Sequence, residues 1–490
     1  MGYEEGEDWV MGAMTTGYPR FFVHKSIQAL VAEVVRRFGD ENDSATLFPS
    51  PKTAAVCHQF LVSRLPASES KSVRTVNLIM SPQAVHGNGN GNGKHGLAIT
   101  SGLSCVLYPK EYSGIAKQAW QHTGDGISSR RGEFCLKALL EGYLVEESVG
   151  RSAEASLRLQ KGPRRYQKND SAANSGKGAS RPGGEKPSEA KVNPESGEFA
   201  QFIEERFGRN LSTALANNAK LAVRRRIAGS LTAEGDLSEA LETASTGSRV
   251  PGLTEDHVYL FPSGMSAIFN THRMLMSARG QMKSICFGFP YIDTLKILQK
   301  WGPGALFYGH GSSEDLDDLE QRLKAGEKYL ALFTEFPGNP LLKSPDLSRI
   351  RALADEYDFA VVVDETVGNF INVNVLRDAD IVVSSLTKVF SGDSNVMGGS
   401  AVINPSGRYY QALHDNLARE YEDNYWAEDA VFLERNSRDF VSRIERMNMN
   451  AEILTRQLKE SGISKSVTAN ATPSILLTMG KSQAVVLSKR

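Results

Sequence analysis

From Val258 to Ile403 the chain repeats one pattern: a short apolar run, a turn, then a longer stretch with apolar residues at helical spacing. The runs are VYLF after His257, then Ser284 to Phe287, Ala305 to Tyr308, Tyr329 to Thr334, Ala360 to Val363, Ile381 to Ser384 and Gly399 to Ile403. Most are apolar without alternation, as expected for strands buried on both faces of a parallel sheet. Helical spacing from about Met265, and over Tyr291 to Lys300, Leu316 to Leu323 and Leu347 to Glu356, separates several of them. The alternation predicts an α/β fold whose mostly parallel sheet is covered by helices on both sides. Tyr409 to Glu460 reads as long helices.

Upstream the pattern changes twice. Tyr18 to Glu147 is mixed, with a helix predicted over Lys25 to Phe38 and strands at Asn77 to Met80 and Leu103 to Tyr108. Val149 to Pro194 holds almost no large apolar side chains and many Gly, Ser, Lys and Pro, so it cannot bury enough surface to offset ordering and is expected to be a flexible linker. Helices are predicted again at Glu198 to Phe207 and Leu211 to Arg226. The expected division is an amino-terminal α/β extension over 1–148, a linker over 149–194, a large domain over 195–408, and a helical connection with an incomplete carboxyl-terminal domain over 409–490.

Length and charge narrow the class. At 490 residues the chain exceeds what one core usually serves, and its net charge of −1 provides no overall field for nucleic acid or an anionic membrane. The basic residues of 149–194 are interleaved with a single aromatic, Tyr166, which does not favour RNA. No apolar segment approaches the roughly 20 residues needed to span a bilayer, and the acidic start MGYEEGEDWV lacks the pattern of a signal peptide. A cytosolic location is expected, without excluding the nucleus. The four cysteines are widely spaced with no CxxC pair, which argues against a zinc site and for reduced, partly buried thiols; no metal site is expected. Gly87 to Gly96, GNGNGNGKHG, superficially matches a phosphate loop. Asn88 falls where GxxxxGK needs its first glycine, and His95 replaces the Ser/Thr, so a low-complexity loop is the better reading.

Candidate chemistry gathers at the ends of two predicted strands. One run ends at Asp364, and the next ends Ser384-Ser385-Leu386-Thr387-Lys388. In open α/β sheets ligands bind beyond the carboxyl ends of strands. A lysine and a carboxylate so placed suit pyridoxal phosphate, the amine as covalent anchor and the carboxylate as partner of the ring nitrogen. An ordinary buried ion pair fits these two residues equally well. The turn Ser263-Gly264-Met265, at a strand-to-helix junction, adds amides and a helix dipole suited to a phosphate, and the Ser385 and Thr387 hydroxyls suit the same group.

Four motifs then occur in order: Pro262-Ser-Gly-Met-Ser-Ala267, Glu335-Phe-Pro-Gly-Asn-Pro340, Asp364-Glu-Thr366, and Ser385-Leu-Thr-Lys388 followed by Gly392-Asp-Ser and Val396-Met-Gly-Gly399. In this order they resemble the Cys/Met-metabolism pyridoxal-phosphate enzymes. PRFFVHKSIQ and SATLFPSPKTA in the amino-terminal part resemble the long extension of the fungal cystathionine γ-synthase branch. The resemblance implies an aspartate-aminotransferase-like large domain and a homo-oligomer, dimer or tetramer. It implies a transferase of transsulfuration and methionine biosynthesis that joins cysteine to an O-acyl-homoserine by γ-replacement. A sulfhydrylase or cystathionine lyase on the same scaffold, or a noncatalytic cofactor-binding homologue, are the alternatives. By the same resemblance Lys388 anchors the cofactor and moves substrate protons, and Asp364 pairs with the ring nitrogen. Thr366 supports the ring, Asn339 contacts its hydroxyl, and Ser263, Gly264, Met265, Ser385 and Thr387 hold the phosphate.

Three departures from the family pattern set further expectations. Where a YGGT-like motif usually stacks a tyrosine on the ring, the chain reads CFGFPYIDT; Phe287 is the expected stacking residue and Tyr291 the substitute for proton transfer, with core packing an equal alternative for each. The phosphate-clamping arginine of a YxR pattern is expected at Arg226 within AVRRRIAGSL, or else Arg224 to Arg226 form a solvated or subunit-bridging cluster. Ser474 to Met479 reads as the first strand of a smaller α/β domain, and no RxSVGxE-like motif with a substrate-gripping arginine follows it.

Overall fold

The computed structural model describes residues 7–13, 22–80, 102–148, 213–232, 234–235, 237–242 and 247–461. The glycine-rich stretch at 87–96, the linker at 149–194, the helix predicted at Glu198 to Phe207 and the strand predicted at Ser474 to Met479 lie outside them.

Residues 22–80 and 102–148 form a four-stranded antiparallel sheet in the order β1-β3-β2-β4, with β1 at Asp43–Phe48, β2 at Arg74–Met80, β3 at Leu103–Pro109 and β4 at Leu144–Glu146. Helices α1 (Lys25–Phe38) and α4 (Ser129–Leu140) contribute Leu30, Val34, Phe134 and Leu139 to one core layer. Helices α2 (Pro51–Val62) and α3 (Ser113–Thr123) contribute Cys57, Phe60, Ala116 and Ala119 to the other. The start of α2 illustrates the local logic. Ser50 caps it in a reciprocal box with Thr53, and Pro51 opens it where no amide partner is needed.

The large domain carries a seven-stranded sheet in the order β5-β11-β10-β9-β8-β6-β7. Its strands are β5 (Val258–Phe261), β6 (Ser284–Phe287), β7 (Ala305–Tyr308), β8 (Ala331–Glu335), β9 (Ala360–Asp364), β10 (Ile381–Ser385) and β11 (Gly399–Ile403). Only β11 runs against its neighbours, pairing antiparallel with both β10 and β5. The sheet is therefore mostly parallel, as the apolar runs predict.

Side chains alternate across it. Ala360, Val362, Ile381 and Val383 join Ala267, Phe269 and Leu275 of α7 (Gly264–Arg279) and Leu298 of α8 (Ile292–Lys300). Val361, Val363 and Val382 face the other way. They meet Leu319 of α9 (Ser313–Lys324), Ile350 of α10 (Leu347–Tyr357), Ile227 of α5 (Thr213–Ala228), Leu433 of α12 (Ala427–Asn436) and Phe440 of α13 (Phe440–Glu460). The short α6 (Leu237–Glu242) packs on α5, and α11 (Tyr410–Glu420) lies on the α7 side. All four cysteines are buried and free. Among the described residues no helix is long and apolar enough to cross a membrane, and no cluster of side chains could hold a metal ion.

Candidate active site

Strands β8, β9 and β10 are neighbours, with Glu335 in register with Asp364 and Asp364 with Val383. By the alternation, Glu335, Asp364 and Ser385 all project to the α7 side of the sheet, at the carboxyl ends of three adjacent strands. The positive end of the α7 dipole points at this same edge.

Close approach between α7 and β10 depends on glycine. A β-carbon on Gly264 would lie 2.7 Å from Ser385 Cβ and 3.0 Å from its Cα, so no other residue lets the first turn of the helix settle there. Gly399 closes the opposite side, where a β-carbon would lie 2.8 Å from the Gly264 amide nitrogen. Next along, the Thr366 hydroxyl accepts the Ser385 amide at 2.8 Å and donates to Asp364 Oδ1 at 2.6 Å, while the Thr366 amide donates to the same oxygen at 2.9 Å. Burial pushes the Asp364 carboxyl above the usual carboxylate range, against the lowering effect of the Thr366 donors. A cationic ring nitrogen beside it would draw it back to the charged form. Glu335 completes the row. Its carboxylate accepts the Tyr291 amide at 2.5 Å and the Asn339 amide at 3.2 Å, and burial, followed by the charge of Asp364, pushes its pKa up to about 7.

One chain of contacts thus links Gly264, Ser385, Thr366 and Asp364, with Glu335, Tyr291 and Asn339 continuing it along the strand ends. Lys388 is exposed on the turn after β10, where its amide donates to the Ser385 carbonyl at 3.4 Å. Met265 follows Gly264 in the half-buried first turn of α7. These residues fit pyridoxal phosphate: a helix start with glycine-enforced access for the phosphate, a half-buried carboxyl for the ring nitrogen, and a lysine on the adjoining turn.

Three predicted residues have other partners. The Ser263 hydroxyl caps α7 by accepting the Ser266 amide at 3.1 Å and donates its proton to the Gly124 carbonyl at 2.9 Å, which leaves its backbone rather than its hydroxyl for a phosphate. The Thr387 hydroxyl is held between the amide and carbonyl of Gly398, at 3.2 and 3.3 Å, and closes the turn before β11. Phe287 shares the opposite face with Ile285 and packs against Tyr308 and Leu332, only 1% exposed, so it is a core residue and cannot stack on a ring held at Asp364. Tyr291, half-buried just before α8 and tied to Glu335, is an aromatic at this edge. The signal was present in the spacing Tyr291-Ile-Asp-Thr294, which keeps the first and last positions of YGGT.

Arg226 is a further correction. Its Nη2 lies 3.0 Å from Glu434 Oε1, both side chains are 2% exposed, and the pair joins α5 to α12. A guanidinium committed inside its own chain is not available to a neighbouring subunit.

Residues 252–475 match the model of the Cys/Met metabolism PLP-dependent enzymes, and residues 26–128 that of the N-terminal domain of fungal trans-sulfuration enzymes. The chain is 49% identical to cystathionine gamma-synthase of Neurospora crassa over 95% of its own length and 77% of the relative's. It belongs to the Cys/Met metabolism family of pyridoxal-phosphate-dependent enzymes. Within that family it is 39% identical to a cystathionine gamma-synthase-like enzyme of Amanita muscaria, over 97% of this chain and 73% of that one. It is 34% identical to cystathionine gamma-synthase of Saccharomyces cerevisiae, over 94% and 76%. Pyridoxal phosphate is therefore the cofactor, and Glu335, which enters the sequence reading only as the start of a motif, is a site residue to which that reading gave no role.

Proposed function

We propose that this protein is a cystathionine γ-synthase-type transferase, which exchanges the acyloxy group of an O-acyl-homoserine for the sulfur of cysteine. The 49% identity to the Neurospora crassa enzyme across 95% of the chain carries this reading. The bound cofactor supplies an electron sink for the carbon next to the substrate amino group. Lys388 would anchor the cofactor and, with its amine free, would take a proton from Cα and then one from Cβ of the homoserine ester, so that the acyloxy group can leave from Cγ. Asp364, held by both Thr366 donors, stabilises a positive charge on the ring nitrogen. The amides of Gly264 and Met265, with the Ser385 hydroxyl, bind the phosphate.

Glu335 fixes the backbones of Tyr291 and Asn339 on either side of the ring position, Tyr291 covering its face and Asn339 reaching its hydroxyl. With Arg226 committed elsewhere, the arginine of the YxR pattern is reassigned to Arg209, which follows Phe207 by two residues and lies outside the described ones. We expect a homo-oligomer in the cytosol.

Replacing Lys388 with Ala tests the core of this reading. The variant should lose the visible absorbance of bound cofactor and the mass adduct trapped by borohydride, and should form no cystathionine from cysteine and O-acetyl- or O-succinyl-homoserine. A K388A protein that kept the adduct would sink the assignment. Wild-type protein that used sulfide but not cysteine would move it to sulfhydrylation.

A further inference from the structure

The amino-terminal sheet is joined to the large domain through α3, which lies against α7 and α8. Trp301, just after α8, stacks on Phe60 of α2 with ring centroids 4.3 Å apart and donates its indole proton to His122 at 3.1 Å. At the end of α3 the chain turns through Gly124, whose φ of +63° places it in the left-handed region that favours glycine. The turn sits on the start of α7. A β-carbon on Gly124 would lie 2.5 Å from the Ser266 amide nitrogen and closer still to the Ser263 hydroxyl.

Asp125 follows and is buried, 4% exposed. Its Oδ1 accepts a short hydrogen bond from the Ser266 hydroxyl and a longer one, 3.4 Å, from the Asn270 side-chain amide. Ser266 and Asn270 are one helical turn apart on the same side of α7. Polar contacts also join the domains elsewhere, as between Arg130 and Asp429 and between Lys52 and Glu420, but those of Gly124 and Asp125 go to Ser263, Ser266 and Asn270, and the first two of these bracket Gly264 and Met265.

We propose that Gly124 and Asp125 form a latch by which the amino-terminal domain holds the first turn of α7 in the geometry that binds the cofactor phosphate, an inference that rests on assigning the phosphate to that turn. Asp125 touches neither cofactor nor substrate and is a positioning residue. Ser263 works at both ends of the latch: its hydroxyl accepts the Ser266 amide and donates to the Gly124 carbonyl, so the capping geometry of the helix is set by a different domain. A protein without these contacts would keep the lysine and the carboxyl but hold the phosphate amides less rigidly.

The test uses full-length protein freed of cofactor and titrated separately with pyridoxal phosphate and with pyridoxal, which lacks the phosphate. Wild-type protein should prefer pyridoxal phosphate by at least about tenfold, a difference of about 1.4 kcal/mol. Asp125→Ala should weaken pyridoxal phosphate binding by about tenfold, as expected when a buried polar bond is left unmade, and leave pyridoxal within about twofold. Asp125→Asn, which keeps an acceptor oxygen, should stay close to wild type. If Asp125→Ala does not fold, Ser266→Ala removes the partner hydroxyl alone and should lower the same preference. A wild-type protein indifferent to the phosphate overturns its assignment to α7, and the latch with it. A wild-type preference that both variants retain in full, or a variant that loses both ligands equally, overturns the latch and leaves the phosphate site standing.

Discussion

Gly264 shows how much a single residue decides here. Its missing β-carbon lets α7 start against Ser385, and adding one would place carbon 2.7 Å from Ser385 Cβ, which is too short a side chain to move away. Overpacking of this kind costs about 1–3 kcal/mol, and the movable partner is the helix start itself. Gly264→Ala should therefore reduce affinity for pyridoxal phosphate about tenfold or more with an unchanged far-ultraviolet circular dichroism spectrum. Normal affinity in that variant would show that the α7 turn does not bear on the cofactor. The sequence places this glycine in a strand-to-helix turn suited to a phosphate. That its neighbour is Ser385, more than a hundred positions away, is not legible there.

Elements act through the faces they present. The alternation in β6 sends Cys286 toward α7 and Phe287 toward α9, and this parity, rather than aromatic character, excludes Phe287 from the ring. At the end of β9 the same parity puts Asp364 in the site and Glu365 on the other side, where it meets Arg249 at 2.9 Å with both side chains almost fully buried. This pair ties the segment before β5 to the turn after β9. Breaking a buried pair by removing one partner costs about 3–5 kcal/mol because the other charge is stranded, whereas replacing both with apolar groups is often neutral. Arg249→Met should lower the thermal midpoint by several degrees, and Arg249→Met with Glu365→Leu should recover most of that loss. A single variant as stable as wild type would show that the pair holds nothing together. The adjacent carboxylates of the DET motif are legible in sequence, but their division into a site residue and a structural residue follows only from the strand.

For the molecule as a whole, the junction between domains carries buried titratable groups of both signs. Burial pushes Asp125 up to about 7, with the Ser266 bond and Arg273 opposing and Glu422 adding to the rise, and pushes His122 down to about 4. The signs differ in consequence. A folded Asp125 holds a proton that the unfolded chain releases near its ordinary 3.8, so its contribution to stability is complete below that value and is lost as pH rises through about 7. His122 works the other way: its contribution is present above its ordinary 6.5 and is lost as pH falls through about 4. Thermal midpoints of wild type and Asp125→Asn compared between pH 5 and pH 8 isolate the first effect. The wild type should lose ground to the variant as pH rises, and parallel curves would contradict the assignment. The strands and most helices of the large domain are readable from spacing, whereas the order of strands in either sheet and the strands at Asp43–Phe48 and Leu144–Glu146 are not. Nor is the docking of the two sheets, because no local pattern links Asp125 to Ser266.

The sequence by itself determined the α/β class, the mostly parallel sheet and the cofactor. Each rests on information local to a few residues: apolar runs of strand length, a lysine and a carboxylate at strand ends, and motifs in a fixed order. Tertiary structure alone decided which of the named residues share a site. It withdrew Phe287 to the core and committed Arg226 to Glu434. It turned the Ser263 hydroxyl toward Gly124 and brought Asp125 onto the phosphate helix. The physical reason is common to all four: a side chain's role depends on the face it occupies and the partner that satisfies it, and both are set by residues far away in the chain.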